Sequence, residues 1–162
     1  MRHHWPHVQT CVNILGYEVK RFDKDGIEIC FTLSSATKKH KNTTPLVDEV
    51  KKLLPADLRT NLRTKTNIYT SLGSMLDEYR GLIEQRRNVK KKIIFVLTDG
   101  LWQPHCAESL VQSLRNLVSS LSQHQSPMDQ IGIQFIQFGD YAEATEVLQY
   151  LDKLCSLENL ER

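Results

Sequence analysis

The chain has 162 residues, a length that suits one ordinary domain with a shared core. Hydrophobic residues make up 40% and charged residues 25%, a globular rather than disordered balance, and the formal net charge of +2 gives no global attraction to nucleic acid or to a membrane surface. No apolar run reaches the roughly 18 residues of a membrane-spanning helix. The polar, His-rich start MRHHWPHVQTC lacks the apolar stretch of a signal peptide. The expected location is cytoplasmic.

From Pro6 to Phe22 the apolar residues Val8, Val12, Leu15, Val19 and Phe22 recur every three or four positions. That is a helix period, and Pro6 suits a first helical turn. Asp23-Lys24-Asp25-Gly26 breaks it as a turn. Ile27, Ile29, Phe31 and Leu33 then alternate with Glu28, Cys30 and Thr32, which is a strand pattern. Ser34 to Thr44 is polar, carries Lys38-Lys39-His40-Lys41, and reads as a loop. Pro45 opens a short helix with Leu46, Val47, Val50, Leu53 and Leu54 on one face. Pro55 to Lys65 is irregular and basic.

A longer helix follows with Ile68, Leu72, Met75, Leu76, Tyr79, Leu82 and Ile83 as its stripe. Arg86 to Lys92 is a basic connector. Ile93-Ile94-Phe95-Val96-Leu97 is a continuous apolar run, the pattern of a strand covered on both faces, and Thr98-Asp99-Gly100 ends it. The next helix carries Leu110, Val111, Leu114, Leu117, Val118 and Leu121. Ser122 to Asp129 is a polar linker. Ile131 to Phe138 is a second buried strand closed by Gly139-Asp140, and a last helix holds Ala144, Val147, Leu148, Leu151 and Leu154. Strands alternating with helices predict an α/β fold with a doubly wound, mostly parallel sheet and helices on both faces. In such sheets ligands bind beyond the carboxyl ends of the strands, where Asp99 and Asp140 both stand.

Leu97-Thr98-Asp99-Gly100 is the strongest local feature. A rigid strand holds the carboxylate, and Gly100 lets the chain turn away sharply. A carboxylate there can also simply cap the next loop or helix. The segment Thr66-Asn67-Ile68-Tyr69-Thr70-Ser71-Leu72 opens the preceding helix. A Thr hydroxyl from such a loop can meet a carboxylate from the next strand, and both oxygens are ligand types for Mg²⁺. Trp102 and Gln103, just past Asp99, are candidates for a partner-binding rim. Asp140 belongs to the same edge or caps the last helix.

The ordered set TNIYTSL, IIFVLTDG and IGIQFIQFGD resembles a von Willebrand factor A domain. HHW near the start, DKDGIEICF and the tail YLDKL extend the resemblance to intracellular fungal A-domain proteins over nearly the whole chain. The resemblance implies a protein-binding, adhesion-type module with a metal-ion-dependent adhesion site. Such a site takes Asp-x-Ser-x-Ser from the loop after the first strand, a Thr from a second loop and an Asp from a TDG-like turn. Thr66 matches the second element and Asp99 the third. The first element is absent, and Met1 stands where a Met commonly follows it, shortly before His4-Trp5. The expectation is therefore one domain over residues 1–162 that lacks the family's first strand.

That departure has two implied consequences. The first strand is central in the family, and strands are about 4.8 Å apart, so its two neighbours would stand roughly 9.6 Å apart with unpaired edges open to self-association. Mg²⁺ is the cofactor the family implies, and Thr66 and Asp99 alone predict weak or absent binding. A protein is the expected partner, with neither nucleic acid nor membrane.

Other patterns carry less chemistry. His3, His7 and Cys11 are spaced by four, but Pro6 leaves His3 ahead of the helix and no fourth zinc ligand is evident. Asp23-Lys24-Asp25-Gly26 fails an EF-hand register at Arg21 and Thr32. Asp99, His105 and Cys106 do not form a nucleophile pair, because adjacent helical residues point apart. Cys11, Cys30, Cys106 and Cys155 form no CxxC and read as separate thiols. There is no GxSxG elbow, Walker loop or GxGxxG, so an enzyme is not expected. The alternatives are a hydrolase or phosphate-handling α/β enzyme using Asp99, and a truncated gene product without independent function.

Overall fold

A computed structural model describes residues 4–22, 26–32, 34–40, 67–85, 89–103 and 105–160, with the side chains of 31, 34–40, 128 and 154–160 excepted. The short helix expected from Pro45 lies outside these residues. The chain divides into two compact units, Met1–Lys65 and Thr66–Arg162.

In the first unit, helix α1 (Trp5–Lys20) has Pro6 in its first turn, where a missing N–H costs nothing. It buries Val8 and Gly16. Burial raises the Cys11 thiol above its ordinary value. Strand β1 (Ile27–Phe31) pairs antiparallel with β2 (Ser34–His40). The segment from Ser34 was expected to be a loop, and through His40 it is a strand instead. Its polar residues hid it, because a strand contributes backbone N–H and C=O groups to a ladder whatever its side chains. The register places Glu28 opposite Lys39 and Ile29 opposite Lys38, with an irregularity between Ile29 and Phe31. Among the described residues, β1 therefore belongs to a hairpin, not to a parallel sheet.

The second unit contains one turn of π-helix (Tyr69–Gly73) continuing into α2 (Ser74–Glu84), then β3 (Lys92–Thr98), α3 (Cys106–Gln123), a 3-10 turn (Met128–Gln130), β4 (Ile131–Gln137) and α4 (Ala142–Leu160). Strands β3 and β4 pair in parallel from Lys92↔Ile131 to Thr98↔Gln137. Parallel neighbours need a long crossover, and α3 supplies it. The fold is thus mixed helix and strand with a small parallel sheet.

One core holds this unit together. Ile68, Leu72, Leu76, Tyr79 and Ile83 come from the second helix, Leu110, Val111, Leu117 and Leu121 from α3, and Leu151 from α4. Ile94 and Val96 of β3 pack on this core with Ile131, Ile133 and Phe135 of β4. Leu76 and Leu110 are 0% exposed, so truncating either removes contacts on all sides. Ile93, on the other face of β3, is 71% exposed, so the two-sided cover expected from its apolar run does not extend to the strand's start.

A buried polar network closes the amino end of the sheet. The Tyr79 hydroxyl reaches the carbonyl oxygens of Lys90 at 2.6 Å and Gln130 at 3.1 Å. Gln130 Nε2 donates to the Val89 carbonyl at 2.5 Å and to the Tyr79 oxygen at 3.3 Å. The Lys92 ammonium lies 5.8 Å from the Tyr79 ring centre, within cation–π range. Lys91 and Asp129, both exposed, pair beside it and lower the Asp129 carboxyl, chiefly through the hydrogen bond.

Burial raises the Tyr79 phenol above 10.0, opposed by the hydrogen bond with Gln130. Its contribution is full below the ordinary phenol value and is lost as pH rises through the higher folded value. Tyr79→Phe leaves two carbonyls without this donor, so a loss of about 1–3 kcal/mol is expected. Urea unfolding at neutral pH checks it, and an unchanged midpoint would show that the network contributes nothing.

Candidate functional site

Strand β3 ends at Thr98, and the next five residues form the loop that sequence analysis singled out. Thr98 is 6% exposed. Its Oγ1 accepts the Gly100 N–H at 2.9 Å and the Trp102 indole N–H at 3.0 Å. Its carbonyl accepts the Phe138 N–H at 2.8 Å, which carries the parallel ladder one step past β4. Asp99 is half-buried, and its Oδ1 accepts the Leu101 N–H at 3.3 Å. The Trp102 N–H donates to the Gly100 carbonyl at 3.1 Å. Two consecutive side chains thus wind the loop on itself.

Gly100 has φ +72°, a left-handed conformation costly for residues with a Cβ. It also faces Ala144, whose Cβ occupies the space a side chain at 100 would need. Ala144 is 0% exposed. The loop after β3 and the first turn of α4 therefore approach closely because both residues are small.

The structure separates the expected rim. Trp102 is 7% exposed and belongs to the core, with its ring 6.0 Å from that of Phe135 at a tilt of 52°. An indole is mostly apolar surface with one donor, and here Thr98 satisfies that donor, so burial is favourable. Trp102 is thus not an exposed contact residue. Gln103 and Asp140 are exposed. Asp140 follows β4 and precedes α4, so both aspartates stand at the carboxyl ends of paired parallel strands. Thr66 lies outside the described residues.

Its neighbour Asn67 is placed. Asn67 Oδ1 accepts the Thr70 N–H at 3.3 Å, which caps the second helix. The same oxygen accepts the Cys106 thiol at 3.2 Å. The start of that helix is therefore tied to the start of α3. His105, immediately before α3, has φ 68° and lies 3.3 Å from Glu108 through Nδ1. Its ring is exposed, whereas the Cys106 side chain is buried, so the two do not form a nucleophile pair.

Sequence reading named Thr98 and Asn67 within their segments without giving either a role, and it passed over Gln130. A Thr two positions before a Gly at a strand end is a local turn pattern and was available. Asn67 bonding Cys106 and Gln130 bonding Tyr79 join residues far apart in the chain, and no local pattern announces them.

Mg²⁺ requires near-octahedral oxygen coordination and gives up water reluctantly. Asp99 supplies one carboxylate already holding a backbone N–H, and Thr98 Oγ1 already accepts two donors. Among the described residues, no group of three or more His, Cys, Asp and Glu side chains is placed to share a metal ion. No helix among the described residues is long and apolar enough to cross a membrane.

Gly100→Ala is expected to destabilise the protein, because it meets both the positive φ and Ala144. Gly81→Ala, in the interior of α2 with nothing near its absent Cβ, should instead stabilise it by roughly 0.5–1 kcal/mol. Thermal melts of the two variants should move in opposite directions, and a melting point for Gly100→Ala at or above the parent's would refute this account of the loop. Thr98→Val removes the acceptor of two buried donors, with an expected cost of about 1–3 kcal/mol by urea unfolding. Thr98→Ser should retain most of that stability. No protein-family model, no curated protein and no solved structure matches this chain.

Proposed function

We propose that the protein is a binding module of the von Willebrand factor A type, with a doubly wound sheet, whose partner is another protein. The contact edge is the carboxyl end of the parallel strands, at Asp99, Gln103 and Asp140. One observation carries the reading: two aspartates stand beyond adjacent parallel strands, on loops anchored to a rigid sheet. Ligands of open α/β sheets bind at that edge. The pattern TNIYTSL, IIFVLTDG and IGIQFIQFGD supports the family part of the proposal.

The edge binds without a resident Mg²⁺ ion. Thr66 and Asp99 are what the family's metal site would retain, and Asp99 already holds the Leu101 N–H. Binding rather than catalysis is favoured by the same geometry. Thr98 Oγ1, on the residue just before Asp99, takes two N–H donors and is buried, so it is poorly placed as a nucleophile. The hydrolase alternative has no further observation in its favour.

The test is affinity capture with the tagged chain and with Asp99→Ala, Gln103→Ala and Asp140→Ala, read by quantitative mass spectrometry. Circular dichroism confirms that each variant folds. Proteins bound by the parent and lost from the Asp99 and Asp140 variants are expected. Capture that is identical for all four chains would overturn the assignment of this edge. Calorimetric titration with Mg²⁺ or Mn²⁺ should show no micromolar binding, and a micromolar site abolished by Asp99→Ala would overturn the metal-free reading.

A further inference from the structure

We draw no further inference here: the strongest candidate, the outward face of the β3–β4 pair where Ile93 stands exposed beside Gly132, is an unpartnered apolar patch, and nothing in the structure shows what covers it.

Discussion

The parallel pairing of β3 and β4 is the constraint on which the second unit depends. Parallel neighbours cannot be joined by a tight turn, so the chain between them must travel back along the sheet. Helix α3 does this over Cys106–Gln123, and its apolar stripe packs with the preceding helix and one face of the sheet. Both strands then end at the same edge, in register from Lys92↔Ile131 to Thr98↔Gln137. The loops that leave this edge inherit their positions from the pairing.

Polar chemistry at the two ends of the sheet works differently. At the amino end, Tyr79 and Gln130 satisfy backbone carbonyls of the segment entering β3, the Tyr79 hydroxyl also reaches the Gln130 carbonyl, and the Gln130 amide donates to that hydroxyl. At the carboxyl end, Thr98 and Asp99 satisfy donors within a single loop. The first arrangement joins residues 51 positions apart and stabilises tertiary structure. The second acts locally and gives the loop a defined shape. A defined loop holding exposed polar side chains on a rigid edge is what a binding surface requires.

Much of the second unit was legible in sequence because its periods are strong. The stripe from Ile68 to Ile83 and that from Leu110 to Leu121 became buried helix faces. The apolar runs at Ile93 and Ile131 became the paired strands. The polar segment from Ser34 was not legible as a strand, since its partner β1 supplies the ladder that defines it. Trp102 was misplaced for a related reason. A tryptophan beside an exposed loop looks available for contact, and only the hydroxyl of Thr98 and the ring of Phe135 make the interior its better place.

By itself the sequence determined the helices and strands of the second unit and the position of Asp99 at a strand end, because hydrophobic period and turn residues are local properties. It also established that Gly100 sits at a sharp turn. Tertiary structure decided that the edge the sequence offered for Asp99 and Asp140 is a shared one, since that follows from the register of β3 against β4. It decided too that Gly100 must stay small beside Ala144, that Asn67 joins Cys106, and that Trp102 faces inward. These are meetings between residues distant in the chain, and packing around one core brings them about.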